Sequence, residues 1–172
     1  MFYDNIAEFE GRGAVKSVPA QTLVIGLGNP ILGDDGIGWR VAEAVKALDL
    51  PDEVEVDCLA LGGLSLMERL IDYPRAIIID AIQTRDGKIG QVYTLALEAL
   101  PDLSAGHTTA VHDTSLQTAL ELGRAMGAKL PDEVLIVAIE AQRVYDFSEE
   151  LTPDVEAAIP DAAQAVMNLL IG

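Results

Sequence analysis

The chain has 172 residues, half of them hydrophobic, and a formal charge of −17 from 28 acids against 11 bases. This composition is not that of a disordered chain, and it argues against nucleic acid or an anionic membrane face as partner, because both require clustered Lys and Arg. The longest uncharged stretch, Ser17 to Gly33, is interrupted by Pro19, Gln21, Asn29 and several glycines, so no membrane helix of ~20 apolar residues is expected. Cys58 is the single cysteine, which excludes an intrachain disulfide and a cysteine-cluster metal site. Residues 1–20 read as an irregular leader without the apolar run of a signal peptide, since Glu8 and Glu10 fall where that run would lie. Residues 21–172 read as one α/β domain of a cytoplasmic protein.

In chain order, Leu23, Val24, Ile25 and Leu27 form a short apolar run ending in glycines, the pattern of a buried parallel strand. After a loop from Gly28 to Gly36, Ile37, Val41, Val45 and Leu48 recur at helical spacing, and Pro51 closes that helix. Val54 to Leu59 is a second strand. A helix after Gly62-Gly63 carries Leu66, Leu70 and Ile71, and Ala76 to Ile79 is a third strand ending in Asp80. Gln91 to Leu95 is a fourth strand, after the turn Arg85-Asp86-Gly87-Lys88. A polar loop from Pro101 to Val111 leads into a helix over about Asp113 to Met126. Its stripe is Leu116, Ala119, Leu120 and Met126, with Gly127 at C′. Val134 to Ile139 is the fifth strand. Thr152-Pro153 offers an N-cap and a first-turn proline, and Pro160 predicts a short helix, a break and a longer helix to near Leu170. Five apolar strands alternating with helices predict a three-layer α/β fold: a five-stranded, mostly parallel, twisted sheet with helices on both faces.

Ligands of open α/β sheets bind beyond the carboxyl ends of the strands. That rule selects Asn29, Asp34 and Asp35 after the first strand, Asp80 at the end of the third, and His107 and His112 before the 113–126 helix. Together they suit a mixed nitrogen and oxygen metal site. Each has a plainer reading. Asp34 or Asp35 could cap the following helix, though only one of them can. Asp80 could cap a turn, although a charge closing a buried strand is costly unless paired or ligated. The histidines could be solvated loop residues. Cys58 reads as a small hydrophobe, and Trp39 as core rather than a partner-facing anchor. Gly26-Leu27-Gly28 opens like a dinucleotide fingerprint, but Ile31 takes the third glycine position and an acidic pair follows, which would repel a pyrophosphate. There is no phosphate loop, no His-Glu-x-x-His helix and no Gly-x-Ser-x-Gly elbow.

The segment from Gly26 to Gly38, Gly-Leu-Gly-Asn-Pro-Ile-Leu-Gly-Asp-Asp-Gly-Ile-Gly, resembles the opening motif of the hydrogenase maturation proteases, which trim the C-terminal tail of the [NiFe]-hydrogenase large-subunit precursor. Ile78-Ile79-Asp80-Ala81 resembles that family's apolar strand ending in Asp-Ala, and Val111-His112-Asp113 its histidine at a helix start. The resemblance runs from about Thr22 to the C-terminus. It implies that Asp35, Asp80 and His112 bind a metal, that the metal is nickel supplied by the substrate, and that no nucleotide is involved. It also implies a five-stranded twisted sheet between helical layers. Where many members have Gly-Thr-x-Gly after the second strand, this chain has Gly62-Gly63-Leu64-Ser65. The implied partner is the large-subunit precursor. The implied mechanism activates water by a metal or by a carboxylate, Asp35 or Asp80, as general base. Two other readings stand beside it: a non-catalytic, nickel-dependent binding or chaperone module on the same fold, and a nucleotide-binding enzyme, which the acidic loop disfavours. Under the protease reading, Asp35→Asn removes activity and Asp34→Asn is the milder change.

Overall fold

The computed structural model describes residues 21–100 and 111–172, with the side chains of 111–115 outside that description. The leader 1–20, the loop 101–110 and His107 therefore lie outside the described residues. Five strands, β1 (Thr22–Leu27), β2 (Val54–Leu59), β3 (Arg75–Ile82), β4 (Val92–Ala96) and β5 (Glu133–Glu140), form one sheet in the order β2-β1-β3-β5-β4. The first three contacts in that order are parallel, and β4 runs antiparallel to β5 at the edge. The link from β3 to β4, residues 83–91, contains no helix. A parallel return needs a crossover of a dozen or more residues, so the reversed edge strand follows from the short link.

The strands β1, β3 and β5 are apolar on both sides, and their alternation sends two sets of side chains to two cores. Val24, Ile77, Ile79, Val137 and Ile139 pack under α1 (Ile37–Lys46), α4 (Pro153–Ala157) and α5 (Ile159–Ile171). Leu23, Ile25, Ile78, Val134 and Ile136 pack under α2 (Gly63–Arg69) and α3 (Val111–Ala125). The three layers predicted from the strand and helix alternation are thus present. The outer strand β2 is half-buried throughout.

Several boundaries differ from the sequence pattern. Helix α1 ends at Lys46, and Leu48, though in phase with its stripe, is 46% exposed. Met126 likewise leaves the α3 stripe and is 78% exposed, because the helix stops at Ala125. There the Ala128 N–H donates to the Gly123 carbonyl at 2.9 Å and the Gly127 N–H to that of Arg124 at 3.0 Å. Gly127, at φ 86°, takes the left-handed position of this Schellman closure. Helix α2 ends at Arg69, leaving Ile71 beyond it. Asp80 does not end β3, which runs two residues further because Asp80 and Ile82 keep pairing with Ala138 and Glu140. The fourth strand lies one residue later than expected. In the tail, the expected break falls at Ala158, and Pro160 sits in the first turn of α5, where its missing N–H costs nothing.

Candidate active site at the carboxyl edge of the sheet

The loop after β1 is shaped by close approaches that only glycine permits. A Cβ on Gly38 would lie 2.1 Å from the Leu27 carbonyl oxygen and 2.5 Å from that of Ile79, so α1 begins in direct contact with β1 and β3. Gly28 has φ 126°, and a Cβ there would lie 2.0 Å from the Asp35 carbonyl oxygen. The chain then turns through Asn29, whose Oδ1 accepts the Ile31 N–H at 3.2 Å, and through a 3₁₀ turn at Gly33–Gly36. The glycines that resemble a phosphate fingerprint instead fold the acidic pair back over the end of β1.

Neither member of the pair caps α1, whose N-cap is Gly36 with no side-chain bond. The two carboxylates diverge. Asp35 is half-buried, and its Oδ2 accepts the Asn29 N–H at 2.7 Å, which closes the loop upon itself. Asp34 is fully buried. Its Oδ1 accepts the Thr152 N–H at 2.7 Å, and its Oδ2 accepts the N–H groups of Gln142 and Arg143 at 3.2 and 3.0 Å and the Thr152 hydroxyl at 3.0 Å. The cap expected of the Thr152 side chain is absent for the same reason: its hydroxyl is turned to Asp34.

Asp35 and Asp80 line one cavity of about 280 Å³, walled by Leu27, Gly28, Leu61, Val144 and Tyr145 among others. Asp80 is half-buried, and one of its oxygens, Oδ1, accepts the N–H of Ala81 at 2.8 Å. Two of the three residues that the resemblance implies thus border one cavity at the carboxyl edge. His112 occupies the second position of α3, and its side chain lies outside the described residues. The path of α3 nevertheless places its first turn. Its C-terminal end leads to Asp132, whose N–H donates to the Pro74 carbonyl at the amino end of β3. A helix of 15 residues is about 22 Å long, so running back across the sheet it starts at the carboxyl edge.

Two carboxylates facing one cavity can bind a cation or remove a proton from water. Among the described residues no group of three His, Cys, Asp or Glu side chains is close enough to hold a metal ion. The other sequence-selected residues have structural surroundings. Trp39 is half-buried, not core, and its Nε1 donates to the Leu59 carbonyl at 3.1 Å, strapping α1 to the end of β2. Cys58 is half-buried beside it, and burial pushes its thiol up.

A family model described as hydrogenase maturation protease matches residues 39–169. The chain belongs to the hydrogenase maturation protease family. Its members are hydrolases of the endopeptidase class, and this chain is one of them by that membership. It is 31% identical over 149 residues to the hydrogenase 2 maturation protease of Escherichia coli K12, across 86% of this chain and 89% of that one. It is 28% identical over 149 residues to the hydrogenase expression/formation protein HupD of Rhizobium leguminosarum bv. viciae, across 86% and 73% of the two chains. The solved hydrogenase maturating endopeptidase HybD from E. coli superposes with a TM-score of 0.73 at 31% identity, covering 87% of this chain and 91% of that one.

Sequence reasoning passed over two features of this maturation protease: the 141–152 segment, which supplies a cavity wall, and Glu140. Glu140 is 2% exposed. It accepts the Thr84 N–H at 2.7 Å, the Thr84 hydroxyl at 2.9 Å and the Tyr93 hydroxyl at 3.2 Å. It holds the start of the β3–β4 link to the end of β5, and burial and then the Glu140 charge push the Tyr93 hydroxyl up. The signal was available, since Glu140 closes an apolar strand run as Asp80 does. No helix among the described residues is long and apolar enough to cross a membrane.

Proposed function

We propose that this chain removes the C-terminal tail of a [NiFe]-hydrogenase large-subunit precursor after nickel insertion, in the cytoplasm. The observation that carries the proposal is the shared cavity of Asp35 and Asp80 at the carboxyl edge of the sheet, in a member of the maturation protease family. The metal is part of the substrate. Asp35, Asp80 and His112 are the residues that would receive it, and two carboxylates with an imidazole suit nickel in type. The ion, when delivered, supplies Lewis-acid polarisation. The chain's own contribution is a carboxylate, Asp35 or Asp80, that takes the proton of the attacking water as general base. Binding energy from the delivered metal makes cleavage conditional on nickel insertion without a deep side-chain pocket.

The test is the gel mobility of nickel-loaded and nickel-free precursor after incubation with the protein. The expected result is a faster-migrating product from the loaded precursor alone. Tight binding of loaded precursor without a product would replace the protease reading by a binding module. Equal cleavage of both precursors would remove nickel recognition from the site.

A further inference from the structure

Residues 141–152 connect β5 to α4 without a helix or strand of their own, and 142–152 separate two cavities. On one side Val144 and Tyr145 wall the cavity of Asp35 and Asp80. On the other, Gln142, Arg143 and Thr152 border a wider cleft of about 860 Å³. The partition is fastened to the β1–α1 loop in two ways. Backbone bonds join Gly33 N–H to the Ser148 carbonyl at 2.7 Å, Asp34 N–H to that of Arg143 at 2.9 Å and Ser148 N–H to that of Ile31 at 3.1 Å. The Asp34 carboxylate adds the four acceptor bonds to Gln142, Arg143 and Thr152. A fully buried carboxylate whose partners all donate cannot be replaced by an amide without setting donor against donor, since an amide offers one acceptor oxygen and an NH₂.

The wall so fastened presents aromatic surface. Tyr145 is 66% exposed although it borders the cavity, Phe147 is 85% exposed two residues on, and Leu61 on the cavity wall is 42% exposed. In a chain with a net charge of −17, an exposed ring bordering the cavity of two candidate catalytic acids, with a second exposed ring two residues on, offers a contact surface for a polypeptide. We infer that Asp34 is a positioning residue that holds the 142–152 wall against the cavity, and that Tyr145 on that wall is a specificity-determining residue packing against apolar residues of the substrate beside the cleaved bond. This rests on the protease reading above. The acidic pair thereby divides its labour: Asp35 faces the substrate, and Asp34 sets the distance of the opposite wall. Asp34→Asn stays the milder change for processing, but its burial and four acceptor bonds mean that it is not a silent one.

The test measures precursor processing by full-length Asp34→Asn, Tyr145→Ala and Tyr145→Phe, with hydrogen exchange at the amides of 142, 143 and 152. Asp34→Asn is expected to raise KM about tenfold or more while kcat falls by no more than about threefold, and to speed exchange at those three amides. Tyr145→Ala is expected to raise KM similarly without change in melting temperature, and Tyr145→Phe to restore it. A merely structural Asp34 would lower the melting temperature or the active fraction and leave KM unchanged, which overturns the proposal. So does an unchanged KM in Tyr145→Ala. Where Asp34→Asn does not fold, Thr152→Val, which removes only the hydroxyl donor, takes its place under the same criterion. An absence of cleavage by the unaltered chain would overturn the protease reading itself, a result distinct from failure of the variants.

Discussion

At the amino edge of the sheet, Arg75 and Glu133 face each other at the first β3–β5 register position and form an ion pair. Their side chains are 25% and 53% exposed. On the flank of β2, Arg69 pairs with Glu55 and Asp57 and lies over the Tyr73 ring, again within reach of solvent. At the carboxyl edge, Asp34 and Glu140 are 0% and 2% exposed, and much of their bonding is to backbone N–H groups. Side chains in water that pair with each other hold geometry weakly. A buried carboxylate that collects loop N–H groups fixes where those loops lie, and its removal leaves donors unsatisfied. The edge that carries the candidate site is therefore the edge where charge is buried.

The comparison is tested most severely by Glu140→Ala. It strands the Thr84 N–H and two hydroxyls and leaves a void, and an expected loss of about 3 kcal/mol is read from urea denaturation. A loss below about 1 kcal/mol would erase the distinction between the edges. Next is Asp35→Asn, which keeps the size of the side chain and an oxygen for the Asn29 N–H. Processing is expected to fall at least ~100-fold, about 2.7 kcal/mol in the barrier, with little change in melting temperature. Normal processing would remove Asp35 from the site.

Tyr73→Phe probes the exposed network through pH. The Tyr73 hydroxyl, donating at 2.6 Å, holds the Glu55 carboxyl below its ordinary value against the opposing effect of burial, with help from Arg69. A group depressed on folding stabilises the fold above the unfolded carboxylate range and loses that contribution as pH falls through its folded value. The unaltered chain is therefore expected to exceed Tyr73→Phe by about 0.5 kcal/mol at neutral pH, narrowing as pH is lowered below ~4. A gap that widens in acid would reverse the sign of the argument. The smallest effect belongs to Glu133→Gln, within about 0.5 kcal/mol of the unaltered chain; a larger loss would make the amino edge the equal of the carboxyl edge.

The same contrast marks what was legible in the sequence. The strands β1, β3 and β5 and both cores followed from apolar runs, and Val54–Leu59 matched β2 at both ends. The carboxyl-edge rule brought the Asp34-Asp35 pair and Asp80 into view because they follow or interrupt such runs, and only the family resemblance chose Asp35 over Asp34. The role of Asp34 was not legible, since its partners are backbone groups 108, 109 and 118 positions away, and an N–H group has no sequence signature. The 142–152 segment has no period, so nothing in the residues announced that it forms a wall. Tyr145 lies in that segment, and only the cavity it borders sets it apart.

The strand order β3-β5-β4 also governs how the molecule comes into being. Arg75 meets Glu133 across 58 positions of chain, so β3 emerges long before the strand that covers its edge. At about 5–20 residues per second that interval is about 3–12 s. During it Ala76–Ile79 has one open edge, and β4, already made, has no neighbour to join until β5 is inserted between them. For those seconds the nascent chain carries the kind of unpaired apolar edge that recruits other chains, and its safety rests on how quickly the last third of the polypeptide is delivered.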